Sequence, residues 1–236
     1  MNKPDLMTRS HAYLSYLEQW LAELPEIPLS EIAAKPESWA VISVDVIEGF
    51  CHTGPLASPR VAAIVEPITR LFKSVWEVGV RHILLTQDAH VPDAVEFAQF
   101  PPHCIRGTLE AETVQAFKAL SFQRAMVKFE KNSISSGLNT GLDEWIKEHP
   151  EVSNYIIAGD CTDLCTYQLA MHIRLDANSR QLQRRVILPV DCVDTYDFPV
   201  EAALDAGAYP HPAELLHAVF LNHMALNGIE VVQRVR

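Results

Sequence analysis

Residues 155–165 constrain the fold of this chain more than any other part of the sequence. They open with the apolar run Tyr-Ile-Ile-Ala, which Gly159 closes. A short apolar run bounded by a glycine is typical of a central strand in a parallel sheet. After the turn, Thr162 or Asp163 can cap a helix. The segment therefore predicts a buried strand, a tight turn and a helix over residues 164–177.

Cys165 would stand at the start of this helix. Unpaired backbone N–H groups and the positive end of the helix dipole favour a thiolate over a thiol there. A lone cysteine is more commonly a buried core residue, so position alone leaves a nucleophile and a core residue both open. The chain has five cysteines, an odd number scattered along the sequence. We therefore expect no disulfide framework and a reducing compartment.

Strand-like and helix-like segments alternate along most of the chain. Apolar runs predict strands at residues 39–44, 82–86, 125–129, 155–158, 185–190 and 229–235. Helical patterns are found at residues 61–78, 111–120, 142–148, 164–177, 200–206 and 213–227. Such alternation predicts a Rossmann-like α/β fold in three layers, α/β/α, around a mostly parallel sheet of about six strands. Ligands of such sheets bind beyond the carboxyl ends of the strands.

The first part of the chain differs from this pattern. An amphipathic helix is predicted over residues 8–23, and a loop with several prolines follows it. We interpret residues 1–38 as a helical extension packed on the core or on a neighbouring subunit. Residues 39–236 then form the main domain, which suits the length and the 48% hydrophobic content of the chain.

Charge and motif content exclude several classes of partner. The formal net charge of −11 argues against binding to nucleic acid or to an anionic membrane surface. No apolar run approaches the ~20 residues of a membrane span, and the first residues lack the apolar core of a signal peptide. Glycine-rich phosphate loops are also missing, which disfavours nucleotide binding. We therefore expect a cytoplasmic protein that acts on a small molecule.

Chemically reactive side chains follow the first four predicted strands. They are Asp45, Asp88, His90, Lys131 and Cys165. Because the carboxyl ends of parallel strands meet at one edge of the sheet, we expect a carboxylate, a pair of metal ligands, an ammonium group and a thiol to lie close together. Asp191 follows the fifth strand in the same way, so this convergence alone does not define a site.

Four segments together resemble the isochorismatase-like cysteine hydrolases, and among these the nicotinamidases. Residues 45–51, DVIEGFC, are similar to the family segment D-x-Q-N-D-F, and residues 86–90, TQDAH, resemble the metal motif T-x-D-x-H. Residues 100–108, FPPHCIRGT, are close to W-P-P-H-C-x-x-G-T, and residues 159–165, GDCTDLC, match G-x-x-T-[DN]-x-C. The resemblance covers residues 39–194 and implies the family's three-layer fold.

The resemblance implies a catalytic trio. Asp45 would be the acid and base, Lys131 the positive partner and Cys165 the nucleophile. The lysine requires a choice, because the family pattern is K-x-x-x-S-A-F. Lys131 stands four residues before Ser135 and aligns without a gap, whereas Lys128 lies inside the predicted third strand. We favour Lys131 and keep Lys128 as the alternative.

The same resemblance implies how the trio would work. Asp45 takes the thiol proton, Lys131 stabilises the charged state and lowers the thiol pKa, and the thiolate attacks an amide carbonyl. The oxyanion would be held by the backbone N–H groups of Cys161 and Cys165. A cis peptide bond between Asp160 and Cys161 would aim the first of these donors.

A divalent metal site is expected beside the trio. Asp88 and His90, two residues apart on an extended segment, can face the same side, and His103 in the following loop adds a third ligand. Glu96 is a candidate fourth ligand. The mixed oxygen and nitrogen ligands favour zinc, with iron or manganese as alternatives.

These residues together predict an amidohydrolase. Phe50 and Phe100 would wall the pocket, and the resemblance implies that nicotinamide is cleaved to nicotinate and ammonia. The alternatives are a hydrolase of another small carbamoyl or ureido amide, or a non-catalytic binding protein on the same fold in which Cys165 is a redox-sensitive thiol. The resemblance also implies a homodimer or homotetramer.

Overall fold

The computed structural model describes residues 5–236, so the first four residues of the predicted extension lie outside the described residues. The helices are α1 (Leu6–Ala22), α2 (Leu29–Ala33), α3 (Glu48–Cys51), α4 (Pro59–Glu77), α5 (Gln115–Lys118), α6 (Leu142–Glu148), α7 (Cys165–Ser179), α8 (Val200–Asp205) and α9 (Ala213–Leu226). The strands are β1 (Trp39–Val44), β2 (His82–Asp88), β3 (Val127–Lys131), β4 (Asn154–Gly159), β5 (Arg185–Pro189) and β6 (Glu230–Val232).

The strands form one parallel sheet in the order β3-β2-β1-β4-β5-β6. Strand β1 lies at the centre, where it pairs with β4 from Trp39–Asn154 to Val44–Gly159 and with β2 on its other edge. Every residue of β1 is buried, because helices cover both faces of the sheet and leave no polar side to the strand. The predicted three-layer α/β/α fold is confirmed.

Two apolar cores separate the sheet from its helices. On one face, Val41 of β1 and Ile156 of β4 belong to a core that includes the inner side of α4. On the other face, Ile42 and Ile157 belong to a core shared with α6, α7 and α9. Side chains alternate between the two faces with the period of two that a strand imposes. The sheet is therefore held rigidly between two packed layers, and its carboxyl edge is a firm support for a site.

Two predicted elements are placed wrongly. The helix expected over residues 111–120 is only the single turn of α5, because Thr113 pairs in an extended conformation with Ile47. The third strand begins at Val127 instead of residue 125, because Gln123–Ala125 forms a 3₁₀ turn. The shift extends β3 to Lys131, which pairs with Asp88 at the carboxyl edge of the sheet.

Residues 5–38, the predicted extension, contact the rest of the chain through α1, through residues 25–29 and through α2, whose Ile32 is buried in the core that includes α4. In α1 only Leu17 is buried, while the apolar residues Tyr13 and Leu14 are exposed. Tyr13 Oη donates a hydrogen bond to Asn222 Oδ1 of α9 over 3.0 Å. Residues 25–29 also form backbone hydrogen bonds with residues 233–236. These last residues follow the end of β6 at Val232, although the last strand was predicted to extend to residue 235. The extension thus adds backbone hydrogen bonds beside the edge of the sheet that is formed by β6.

Candidate active site

Asp45 follows β1 at the centre of the carboxyl edge. The residue is fully buried and has a φ of +55°, a left-handed conformation that aspartate tolerates better than most residues. Its N–H donates to the Thr86 carbonyl over 2.9 Å, and its Oδ1 accepts from the Asp88 N–H over 2.8 Å. The end of β2 therefore fixes the Asp45 carboxylate, and Oδ2 faces Lys131 at the end of β3.

Lys131 ends β3 and places its ammonium group among three reactive side chains. Nζ lies 2.7 Å from Asp45 Oδ2, donates to Asp88 Oδ1 over 2.5 Å and lies 3.6 Å from Cys165 Sγ. The residue is only 1% exposed. Lys128, the alternative, is exposed and pairs with Glu130 over 2.9 Å. The structure thus brings Lys131, and not Lys128, to the site.

Cys165 is the first residue of α7 and is 8% exposed. Burial raises the pKa of its thiol well above the usual value, and the nearby Lys131 ammonium opposes this rise. At this buried position, desolvation of the thiolate thus outweighs the helix N-terminus and Lys131, which both favour it. Ligand atoms of Asp45, Asp88 and Cys165 lie within 4.8 Å of one another. A proton can thus pass from the thiol to Asp45 over a short distance.

The two carboxylates around Lys131 differ in their pKa values. Burial raises the pKa of Asp45, the charge of Asp88 adds to this, and Lys131 opposes it, for a value of about 6. Burial would also raise the pKa of Asp88, but Lys131, His103 and His90 hold the pKa of Asp88 well below its usual range. Burial would lower the pKa of Lys131, yet Asp45 and Asp88 raise it well above its usual value. Lys131 is therefore a permanent cation, and Asp45 is the carboxylate that can exchange a proton near neutral pH.

The turn between β4 and α7 has the backbone form that the resemblance implied. The peptide bond between Asp160 and Cys161 is cis, and Gly159 has a φ of +117°. A Cβ atom at Gly159 would lie 2.0 Å from the Val44 carbonyl oxygen, so only glycine fits against β1 there. The Cys161 carbonyl accepts hydrogen bonds from the N–H groups of Leu164 and Thr166. This folds residues 161–164 over the first turn of α7.

The predicted capping of α7 by Thr162 or Asp163 is wrong, since Leu164 is the N-cap and its side chain makes no capping hydrogen bond. Thr162 Oγ1 instead contacts His217 Nδ1 at 2.8 Å. Asp163 accepts from Thr195 Oγ1 over 2.6 Å and lies 2.7 Å from His211 Nε2. Both side chains therefore bind residues that follow β5. Neither side chain covers the start of α7, which faces the pocket.

Asp88, His90 and His103 form a cluster suited to a metal ion. All three are buried, and their ligand atoms lie within 4.8 Å of one another. His103 Nδ1 contacts the Pro101 carbonyl at 2.8 Å, so its Nε2 faces Asp88 Oδ2 at 3.8 Å. Among the described residues, neither ring nitrogen of His90 has a hydrogen-bond partner, although both are buried. Because buried polar atoms are nearly always paired, and an imidazole ring binds a metal through one nitrogen, Nε2, which faces Asp88 Oδ2 at 3.5 Å, fits a divalent cation as its missing partner.

Glu96 lies beside this cluster. Its Oε1 is 3.9 Å from His90 Nε2, while its Oε2 accepts from the Ile134 N–H over 3.2 Å. One carboxylate oxygen is thus engaged with the backbone and the other faces the histidine. Glu96 can reach an ion at the cluster only through Oε1.

One pocket connects the sulfur to the metal cluster. It is lined by Cys165, Asp88 and His103 together with the rings of Phe50 and Phe100, both of which were expected there. Six further residues that were not expected there also line the pocket: Leu56, Val61, Ile134, Asp160, Leu164 and Tyr196. Only the lining residues inside or next to a motif, such as Asp160, could have been inferred from the sequence. The rest lie on helices and loops whose path into the pocket no local pattern reveals.

Tyr196 is the lining residue that lies farthest from any motif. Its ring stacks on the His211 ring at 3.8 Å between centroids. His211 in turn contacts the Tyr196 carbonyl through Nδ1 and Asp163 through Nε2. His211 is itself held by Asp163, which lies two residues before Cys165. The hydrogen-bonded pair of His211 and Asp163 therefore holds the Tyr196 wall of the pocket in place.

Comparisons with known proteins agree with the fold and indicate the family. The family model described as the isochorismatase domain matches residues 39–233. Nicotinamidase 1 of Arabidopsis thaliana is 30% identical over 89% of this chain and 93% of its own length, and nicotinamidase/pyrazinamidase of Mycobacterium tuberculosis is 27% identical over 69% and 91%. Pyrazinamidase of Pyrococcus horikoshii, solved in complex with zinc, superposes with a TM-score of 0.64 at 23% identity over 83% of this chain and 99% of that one.

None of the helices within residues 5–236 is long and apolar enough to cross a membrane. The expected cytoplasmic location and the expected homodimer or homotetramer stay predictions.

Proposed function

The chain belongs to the isochorismatase family, and we propose that it is a cysteine-dependent amidohydrolase that converts nicotinamide to nicotinate and ammonia. The observation that carries this proposal is the position of Lys131, whose Nζ lies 2.7 Å from a carboxylate and 3.6 Å from a thiol. In the resting protein the three groups form a nucleophile, a base and a fixed positive charge, the parts that covalent acyl transfer requires.

The first half of the reaction forms a thioester. Asp45 takes the Cys165 proton, and the Lys131 ammonium stabilises the thiolate that results. The sulfur adds to the amide carbonyl carbon, and the carbonyl π electrons move to oxygen. Asp45 then gives its proton to the amide nitrogen, the C–N bond breaks, and ammonia leaves. The raised pKa of Asp45, about 6, suits a group that must both accept and release a proton near neutral pH.

The second half returns the enzyme to its starting state. Asp45 takes a proton from water, and the hydroxide oxygen adds to the thioester carbon. The C–S bond breaks, the acid product leaves, and the proton on Asp45 returns to the Cys165 sulfur. In both halves we assign the oxyanion to the N–H groups of Cys161 and Cys165, each donor contributing roughly 3 kcal/mol to lowering the barrier.

Asp88, His90 and His103 would hold a divalent ion, most simply zinc, with Glu96 as a fourth candidate ligand. A bound ion would supply a coordination position for the substrate ring nitrogen, which orients the ring without generating the nucleophile. The aromatic rings of Phe50 and Phe100 would hold the faces of a flat substrate. The names of both curated relatives support nicotinamide as this substrate.

Two measurements test the reaction and the substrate. Ammonia release from nicotinamide should be compared with release from benzamide, which has the same shape but no ring nitrogen. We expect nicotinamide to have the higher kcat/KM by at least roughly a hundredfold, because benzamide leaves a polar partner unmatched. Equal turnover of the two amides would remove the nicotinamidase assignment and leave a general amidohydrolase.

The catalytic trio is tested by the variants Asp45→Ala, Lys131→Ala and Cys165→Ala, with Lys128→Ala as a matched lysine control. Each trio variant should lower kcat by roughly 10³-fold or more, and a double variant should be little worse than a single one, because the three residues act as a unit. Lys128→Ala should keep near-normal kcat. The reverse result for the two lysines would overturn the assignment of Lys131.

A further inference from the structure

Asp160 has a buried carboxyl group that the proposed reaction does not use. The residue is 1% exposed, and its Oδ1 has no hydrogen-bond partner among the residues that the structure describes. Oδ2 is 3.8 Å from Cys161 Sγ, which is a weak contact. Buried side-chain oxygens are paired in the great majority of cases, so an unpaired carboxyl oxygen beside a ligand pocket indicates a partner that arrives with the ligand.

The position of Asp160 supports this interpretation. It lines the same pocket as Cys165, Phe50 and Phe100. Its N–H donates to the Val44 carbonyl over 3.1 Å, so the backbone is fixed between the two central strands. The residue is thus held by the backbone of the central strands and not by a flexible loop. A group held in this way can discriminate between substrates by geometry.

The charge state of Asp160 defines what it can bind. Burial raises its pKa well above the usual value, and the negative charge of Asp45 adds to this effect. Burial therefore favours the protonated form of the carboxyl, which has one O–H donor and a carbonyl acceptor. A neutral carboxylic acid pairs with an uncharged polar group, such as an amino or hydroxyl substituent or a ring nitrogen.

We propose that Asp160 is a specificity-determining residue whose carboxyl group hydrogen-bonds a polar substituent of the aromatic amide held in the pocket. A nicotinamide that carries such a substituent, in addition to its carboxamide and ring nitrogen, is then a better substrate than nicotinamide itself. An apolar substituent at the same ring position leaves the carboxyl unpaired and is selected against. The inference rests on the proposed amidohydrolase function.

The test compares pairs of nicotinamides that carry an amino or a methyl group at the same ring position, since the two groups are similar in size. In the wild-type protein one ring position should show an amino-over-methyl preference in kcat/KM of roughly tenfold or more. Asp160→Leu should abolish or reverse the preference at that position. Asp160→Asn, which keeps a donor and an acceptor in the same shape, should retain part of it.

Asp191→Asn is the matched control. Asp191 is another carboxylate at the carboxyl edge of the sheet, and its buried Oδ1 has no hydrogen-bond partner within residues 5–236, but it lines a separate cavity with Arg70 and Arg234. This variant should leave every amino-to-methyl ratio unchanged. Ratios that are the same in wild type and Asp160→Leu at all ring positions would overturn the assignment of Asp160.

Binding of the same amides to Cys165→Ala protein, measured by calorimetry, separates this inference from the proposed reaction. If binding shows the amino preference and its loss in a Cys165→Ala/Asp160→Leu double variant, while the wild type releases no ammonia, the role of Asp160 stands and the reaction is wrong. If ammonia is released but neither binding nor turnover discriminates, the reaction stands and the role of Asp160 is wrong.

Discussion

The Asp88 carboxylate accepts a 2.5 Å hydrogen bond from Lys131 Nζ through Oδ1, while its Oδ2 faces His90 Nε2 at 3.5 Å. One side chain thus contacts both the ammonium group beside the sulfur and the cluster proposed to bind the metal. A change in what Asp88 Oδ2 binds will also change the charge and position of the Oδ1 atom that Lys131 contacts, because the two oxygens belong to one rigid carboxylate. The metal cluster and the catalytic trio are therefore one connected unit.

This connection predicts different effects for two metal-ligand variants. His103→Ala should lower metal content and raise KM for nicotinamide. Asp88→Ala should do the same and also lower kcat by roughly a further tenfold or more, because Lys131 loses one of its two carboxylate partners. Metal content by mass spectrometry and steady-state kinetics would measure both effects. Chelator-treated wild type is the control, and a kcat for Asp88→Ala equal to that of the control would contradict the link.

Among the five cysteines, Cys165 should react first with limiting iodoacetamide. All five are buried, but an ammonium group lies within 3.6 Å of this sulfur and stabilises its thiolate. Mass spectrometry should find modification and loss of activity in step, and Lys131→Ala should slow both. Earlier labelling of Cys104 or Cys51 with activity retained would be inconsistent with Cys165 as the reactive thiol.

Asp160 should make the stability of the ligand-free protein fall as pH rises. Because burial raises its pKa in the folded state, Asp160 binds its proton more tightly there than in the unfolded chain, where the pKa is about 4. Its contribution to stability is thus fully present below about pH 4 and is lost as pH rises through the folded-state pKa. Asp160→Asn removes this loss, so its Tm should exceed that of wild type by more at pH 8 than at pH 4. A Tm difference that is independent of pH would contradict this prediction.

His211→Ala should raise KM more than it lowers kcat. The His211 ring supports Tyr196 and pairs with Asp163, and neither residue touches the sulfur. Losing the pair leaves Asp163 Oδ2 buried without a partner while Oδ1 keeps its bond from Thr195, which should cost about 2 kcal/mol of unfolding free energy. Thermal unfolding and steady-state kinetics would show this. His223→Ala, on the exposed side of α9, is the matched control and should change neither quantity.

Much of the fold and the identity of the clustered residues could be predicted from the sequence because they rest on local patterns. Apolar runs defined β1 and β4, and the residues after them had to meet at the carboxyl edge of the sheet. The predicted cap of α7 was wrong because Asp163 gains two partners from distant segments, Thr195 and His211. The raised pKa of the Cys165 thiol was missed for a similar reason, since burial depends on the whole pocket and not on the helix that begins there.

The pairing of β1 with β4 has a consequence for how the protein is made. As the chain leaves the ribosome, β1 can pair with β2 early, but its other edge has no partner until residues 154–159 have been synthesised. Parallel pairing between such distant segments is slow to form, and an open strand edge can pair with other chains in the meantime. Asp45 and Lys131 emerge before this step and Cys165 after it. The proposed catalytic centre therefore cannot assemble until β4 has paired with β1. An arrested chain that ends before β4 should be inactive and prone to aggregation.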